Sequence, residues 1–220
     1  MSARLWQRTD LPSLLSAELA RPAQAAWGRS LAPELVYGRH SGPARGDARP
    51  AAVAILFCWS DGAWQLPLTV RAAGLSRHGG QISFPGGLID GNETPPAAAT
   101  RELAEELGVR PPVQWLGNLE PQFVFASNAW VVPCVGATAS LPPWHPSPSE
   151  VARVVTLPLR ELLDQPPLPP LEIVRGPLRF AAPQLHVEGH SAWGATAVML
   201  GELRGRLRRV ECELASGQQP

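Results

Sequence analysis

The sequence predicts an α/β protein built as a mixed sheet sandwiched between helices. Apolar strand segments stand both before and after one strongly marked helix, and a second amphipathic helix closes the chain. With 220 residues, 45% of them apolar, the chain can form one real core but not two comfortable ones. Leu11 to Trp27 carries Leu, Ala and Trp at loosely helical spacing, and the Gly/Arg/Pro-rich stretch from Gly38 to Pro50 reads as a linker. Residues 1–50 are therefore expected to be a helical and linker appendage, 51–215 the main domain and 216–220 a tail. Ala51 to Trp59 is a buried strand candidate, Ser60-Asp61-Gly62 a turn, and Trp64 to Arg71 a second strand, which together predict a hairpin. After the central helix, Val113 to Leu119, Phe123 to Val135 and Val151 to Leu157 supply further strands, and Thr196 to Leu214 the closing helix. Prolines and glycines, 25 and 20 in number, cluster at Leu141 to Pro148 and Asp164 to Pro170, as in rigid connections of a folded chain.

Lys plus Arg equals Asp plus Glu at 19 each, so overall charge points to neither nucleic acid nor an anionic membrane. Phosphate binding, if present, is local, and the expected partner is a small molecule. No apolar run approaches the roughly 18 residues of a bilayer span, and Met1 to Trp6 does not lead into a signal-peptide core, so a cytoplasmic location is expected. Nothing in the sequence specifies an oligomeric state. Cys58, Cys134 and Cys212 are widely spaced, without a Cys-x-x-Cys pair, and read as reduced core thiols.

The helix from Thr94 to Gly108 has both ends written into it. Thr94 suits the N-cap, Pro95 the first helical position and Gly108 the left-handed residue past the last turn. At about 100° per residue, Ala99, Leu103 and Leu107 form one stripe, and Glu102, Glu105 and Glu106 share the neighbouring arc. Like charges at i and i+4 cost a few tenths of a kcal/mol, and acids near a helix C-terminus oppose its dipole. A hard divalent ion would compensate; a solvated acidic face with Arg101 paired to Glu105 is the plainer alternative.

Spacing around the helix adds to this. Gly87 is followed after five residues by Glu93, and after seven more by Arg101-Glu102-Leu103-Ala104-Glu105-Glu106-Leu107-Gly108-Val109. This pattern resembles the Nudix box in full, Gly-x5-Glu-x7-Arg-Glu-U-x-Glu-Glu-x-Gly-U with U aliphatic. The resemblance implies a Nudix-type α/β/α sandwich with a mixed β-sheet and a pyrophosphohydrolase dependent on Mg²⁺ or Mn²⁺. It also implies metal binding by Glu102 and Glu106 with help from Glu105 and the Gly86 carbonyl, with Glu93 and Arg101 bracing the loop beside Gly87. Such chemistry needs a cation because pyrophosphate oxygens repel an anionic nucleophile. Glu102, Glu120 and Glu150 are candidates for the general base.

Upstream, Leu68 to Gly87 resembles the coenzyme A pyrophosphatase branch, Leu-Leu-Thr-x-Arg-(Ser/Ala)-x3-Arg-x3-Gly-x3-Phe-Pro-Gly-Gly. Pro67 replaces the first Leu, and Ser76 stands where the second Arg belongs, with Arg77 one place later. Trp193-Gly194-Ala195-Thr196 is also similar to the branch. The resemblance implies that Arg71, Arg77, Gly80 and Phe84 bind substrate, coenzyme A or a derivative, which would yield 3′,5′-ADP and 4′-phosphopantetheine or its acyl form. Another nucleoside diphosphate derivative, such as ADP-ribose, NADH or a dinucleoside polyphosphate, is the alternative substrate. A catalytically silent binding module is the alternative class. Among eight tryptophans, Trp130, Trp144 and Trp193 are candidates to stack on adenine, with core packing the plainer role for each. His78 in the same loop has no visible partner.

Overall fold

The computed structural model describes residues 4–33, 46–74, 79–175 and 178–217. Its helices are α1 (Leu11–Leu19), α2 (Ala26–Arg29), α3 (Pro95–Leu107), α4 (Leu159–Asp164) and α5 (Ala195–Ser216). The expected hairpin is present as β1 (Arg49–Ser60) and β2 (Ala63–Arg71). Its two-residue turn has φ of 52° at Asp61 and 76° at Gly62, the paired positive values that match the twist of a tight hairpin.

β1 and β2 pair only where Cys58–Ser60 faces Ala63–Gln65, and the rest of the space between them is shared with the chain from Ile82 to Leu88. There β3 (Ile82–Ser83) pairs with β2 at Thr69 and Val70, while β4 (Gly86–Leu88) pairs with β1 at Ala51–Val53. On its other side β1 runs parallel to β7 (Ala129–Thr138), from Arg49 against Ala129 to Cys58 against Thr138. Antiparallel partners complete the eight-stranded mixed sheet: β5 (Gln114–Asn118) and β6 (Gln122–Val124) on β7, and β8 (Val151–Pro158) on β2.

Alternation along β1 sorts its side chains into two cores. Ala52, Ala54, Leu56 and Cys58 pack with Ala98, Ala99, Leu103 and Leu107 of α3. Ala51, Ile55 and Phe57 belong to the larger core on the other face, with Leu200, Leu203 and Leu207 of α5. The expected sandwich is the observed one.

The front section departs from expectation. Leu5, Leu11, Leu15 and Leu31 are buried in the larger core rather than hung outside it. α2 lies on α5 where Gly201 and Gly205 leave room; a Cβ on Gly205 would overlap the Trp27 ring. Arg206 of α5 is buried and donates to the Glu18 carbonyl at 3.0 Å and the Arg21 carbonyl at 3.1 Å, tying the two ends of the chain together. Loose Leu and Ala spacing gives a weak local signal, and the partner that completes this layer lies almost 190 residues away. Residues 38–45 of the expected linker lie outside the described residues.

Other segments differ in smaller ways. The long strand expected at Phe123 to Val135 is broken by a 3-10 turn at Phe125–Ser127, closed by Asn128 at φ 49°. The proline-rich stretch after α4 leads into two small antiparallel sheets, β9 (Leu171–Arg175) with β10 (Leu178–Ala182) and β11 (Gln184–Val187) with β12 (His190–Trp193). These strands are too short for a readable alternation. Cys58 and Cys134 are buried, their thiols pushed up to about 12 by desolvation, whereas Cys212 is exposed on α5 and is no core residue. Among the described residues, no helix is long and apolar enough to cross a membrane.

Candidate active site

α3 is fixed at both ends as its sequence predicts. Thr94 Oγ1 accepts the Ala97 N–H at 3.4 Å, Pro95 opens the helix, and Gly108 closes it at φ 70°. The last turn also gains partners from a distant loop: the His145 N–H donates to the Leu107 carbonyl at 2.8 Å and the Ser147 N–H to the Glu106 carbonyl at 2.9 Å. Main-chain donors thus satisfy helix carbonyls that would otherwise be orphaned. The same loop ends at Glu150, whose carbonyl accepts the Ala72 N–H at 2.8 Å, next to Arg71.

The three acids of the helix arc have different surroundings. Glu106 is 2% exposed and Glu102 8%, whereas the Glu105 side chain is 53% exposed. Burial pushes the Glu106 carboxyl up to about 8; Arg71 opposes the shift, while Glu102 and Glu150 add to it by repulsion. Arg71 Nη1 stands 3.7 Å from Glu106 Oε1, and a backbone hydrogen bond from Gly86 also reaches this carboxylate. Glu106 Oε2 is buried without a hydrogen-bond partner. Burial likewise raises the Glu102 carboxyl, against the pull of Arg101.

Arg101 has partners on both sides of the α3 arc. Its guanidinium donates to Glu93 Oε1 at 3.1 Å, Glu102 Oε1 at 2.8 Å, Glu105 Oε2 at 3.0 Å and the Leu88 carbonyl at 2.7 Å. It thereby staples β4 to α3 and holds the Glu93 carboxyl below its usual range. The Arg101–Glu105 pair of the plainer reading exists, but within this larger network. Glu93, Glu102, Glu105, Glu106 and Glu150 outnumber Arg71 and Arg101, so the cluster carries a surplus of negative charge.

Two glycines connect the carboxylates to a cavity. A Cβ on Gly87 would overlap the Glu102 carboxylate, and one on Gly86 would overlap the Ala52 carbonyl. These positions need glycine for close approach, not for a turn. Both line a cavity of about 600 Å³ that reaches Ala51 and Val53 of β1 and Thr196 and Met199 of α5, on the sheet face opposite α3. None of the α3 carboxylates lines this cavity; Arg71, Gly86 and Gly87 form the border between the two.

Arg71, Phe84, Gly86 and Gly87 thus come together with Glu102 and Glu106, with Glu105 at the outer edge. Gly80 stands apart from the cavity wall: at φ 73° its N–H donates to the Arg71 carbonyl at 2.9 Å, so it shapes the loop below Arg71. Arg77, Ser76 and His78 lie outside the described residues. Of the base candidates, Glu150 is coupled to both Glu102 and Glu106, whereas the Glu120 N–H donates to the Glu202 carboxylate of α5 at 3.2 Å, away from the cluster. Trp193 lines the cavity; Trp144 packs against the α3 core, and Trp130 is exposed. Arg49, Phe125 and Phe180 also line the cavity. They escape a sequence reading because each is a single residue on a different element.

Among the described residues, no three His, Cys, Asp or Glu side chains are already gathered in a metal-binding arrangement. The chemistry of the donor set nevertheless fits a hard divalent cation: a buried carboxylate oxygen without a partner, a second carboxylate pressed against a glycine, and uncompensated negative charge around both.

Comparison with known proteins gives a family. The model of the NUDIX domain matches residues 48–176, more than half of the chain. A Nudix hydrolase, NudL, of Cronobacter sakazakii is 35% identical over 139 residues, 63% of this chain and 72% of its own length. Its counterpart in Salmonella newport is 34% identical over the same shares. Among solved structures, the Nudix hydrolase RenU of M. smegmatis is 20% identical, with 76% of this chain and 88% of that one covered at a TM-score of 0.49. The NUDIX domain of Shewanella oneidensis NrtR, solved with ADP ribose, is 24% identical over 56% of this chain and 80% of that one, with a TM-score of 0.43. Family assignment rests on the sequence matches and not on these two folds: the chain belongs to the Nudix hydrolase family.

Proposed function

We propose that the protein hydrolyses the pyrophosphate linkage of coenzyme A or an acyl derivative, releasing 3′,5′-ADP and 4′-phosphopantetheine or its acyl form, with Mg²⁺ or Mn²⁺. The observation that carries the reading is the meeting of Glu102, Glu106 and Glu150 with Arg71 at the Gly86–Gly87 edge of the cavity. Glu102 and Glu106, with Glu105 and the Gly86 carbonyl, would hold the metal. When bound, such an ion neutralises pyrophosphate oxygens and makes water a better nucleophile.

The chain's own residues supply the rest. Arg71 has Nε buried without a hydrogen-bond partner and lines the cavity, so its guanidinium is placed to donate to a phosphate oxygen. Glu150, whose main-chain carbonyl accepts the Ala72 N–H beside Arg71, has its carboxylate near enough to repel those of Glu102 and Glu106 and is suited to take the proton of the attacking water. Water oxygen then bonds to one phosphorus, the bridging P–O bond breaks, and the leaving phosphate keeps its electron pair. Arg101 keeps Glu102 oriented and β4 against α3.

Incubation with coenzyme A and Mg²⁺ or Mn²⁺, with products identified by mass, tests the reading. Release of 3′,5′-ADP should require the metal and fall at least about a hundredfold in Glu106→Gln. Turnover of ADP-ribose, NADH or dinucleoside polyphosphates without turnover of coenzyme A would overturn the substrate. Metal-independent binding without any turnover would overturn the enzyme.

A further inference from the structure

The cavity wall carries two arginines, Arg71 and Arg49, and several aromatic side chains. Arg71 stands where the wall meets the α3 carboxylates. Arg49 is the first residue of β1, and its side chain shares a strand face with Ala51 and Val53, which also line the cavity. Val53 pairs with Gly86, so Arg49 lies four residues, about 13 Å, along the strand from the catalytic border. An arginine side chain spans much of that distance. Phe125, Phe180 and Trp193 line the cavity as well.

Arg49 is positioned rather than loose. Its N–H donates to the Asn128 carbonyl at 2.9 Å, and Nη2 donates to the Ser127 carbonyl at 3.0 Å. Ser127 belongs to the same 3-10 turn as Phe125, so one turn orients both the cation and an aromatic wall. Among the described residues, Arg49 makes no ion pair with a carboxylate, in contrast to Arg101 and Arg206. Only one of its guanidinium donors goes to Ser127, and a guanidinium has five. An exposed arginine held by a neutral carbonyl at the rim of an aromatic cavity is a ready partner for a second anion.

We propose that Arg49 is a specificity residue that recognises a second phosphate, carried on the ribose of the substrate nucleotide, while Arg71 serves the pyrophosphate. The inference rests on the proposed hydrolysis of a nucleotide pyrophosphate and names which nucleotide the cavity selects. A ribose with phosphates at both its 5′ and 3′ positions presents two anions on either side of one sugar, with the base free to meet the aromatic wall. A nucleotide lacking the second phosphate leaves Arg49 without its charged partner.

The test compares calorimetric binding of 3′,5′-ADP and 5′-AMP to the full chain with Mg²⁺, in wild type, Arg49→Gln and Arg49→Lys. Turnover of coenzyme A and dephospho-coenzyme A is measured alongside. Wild type should prefer 3′,5′-ADP by about tenfold to a hundredfold, the range for a hydrogen bond to a charged group. Arg49→Gln should bring that ratio close to one, and Arg49→Lys should keep part of it. Equal binding of the two nucleotides by wild type, or a preference that survives Arg49→Gln, overturns the assignment. Coenzyme A turnover without the preference removes Arg49 and leaves the reaction standing. A preference without coenzyme A turnover, beside turnover of another nucleoside diphosphate, removes the reaction and leaves Arg49.

Discussion

Carboxylates are buried beside arginines on both faces of the sheet, and the balance differs. On the α5 face, Glu18, Glu202 and Glu213 meet Arg21, Arg206 and Arg209, three of each sign. Arg206 Nε donates to Glu202 at 3.0 Å, Arg209 lies 3.2 Å from Glu18, and Arg21 lies 2.7 Å from Glu213. Both Glu202 oxygens also accept the Glu120 N–H at 3.2 Å. On the α3 face, five glutamates share two arginines. Glu18 Oε1 and Glu106 Oε2 both lack a hydrogen bond. Glu18 Oε1 lies 3.2 Å from Arg209 and 3.6 Å from Arg206, whereas, among the described residues, Glu106 has only the Arg71 cation, 3.7 Å from its other oxygen. Burial opposes ionisation in both places, raising the carboxyls of Glu18, Glu202, Glu102 and Glu106 alike. Compensation is what differs: a matched cluster joins two ends of a chain, and an unmatched one beside a cavity has charge left for a ligand.

The largest effect expected from this contrast is on folding. Arg206→Ala leaves Glu18 and Glu202 short of a buried partner and should cost about 3–5 kcal/mol in urea unfolding, with turnover per folded molecule preserved. A parallel loss of turnover would show that the two clusters are coupled rather than independent. Next is Gly87→Ala, whose new Cβ overlaps the Glu102 carboxylate. Turnover should drop at least about tenfold while the unfolding midpoint moves little; full turnover would remove the close approach from the chemistry. Arg71→Ala should raise the Michaelis constant for coenzyme A by about tenfold, the scale of one charge-assisted contact. An unchanged constant would take Arg71 out of phosphate binding.

A last test sharpens the contrast by pH. With its carboxyl at about 8 when folded against 4.5 ordinarily, Glu106 retains a proton that the unfolded chain releases. Its contribution to stability is fully present below about 4.5 and is lost as pH rises through about 8. Without metal, Glu106→Gln should match wild type near pH 4.5 and exceed it in urea unfolding by pH 9, and Mg²⁺ should narrow the gap. A gap that does not change with pH would place the cost of Glu106 elsewhere.

The α3 site was legible because its information is local. Thr94, Pro95 and Gly108 mark the ends, the spacing of Glu102, Glu105 and Glu106 marks the face, and Asp61-Gly62 marks the hairpin that starts the sheet. What periodicity alone does not give is that Glu105 stays exposed while Glu102 and Glu106 are buried, since Gly86, Gly87 and Arg71, which meet those two carboxylates, come from other elements. The α5 cluster was not legible, although Glu202 and Arg206 stand at i and i+4, because Glu18 and Arg21 come from the far end of the chain. The cavity shares this difficulty. Pro33, Phe180, Trp193 and Thr196 line it from outside residues 48–176, so the part of the chain that announces the family is not the whole of the part that would select the molecule.

The Gly86–Gly87 crossing has a further consequence for how such a protein can diversify. The α3 carboxylates stand on one side of the sheet and the cavity wall on the other, and the two meet at a pair of residues without side chains and at Arg71. If the cavity holds the substrate as proposed, exchanges at Phe125, Phe180 or Arg49 would retune which molecule is held without touching the α3 acids. On that arrangement a new specificity would come from repainting one face, with the acids on the other left as they are.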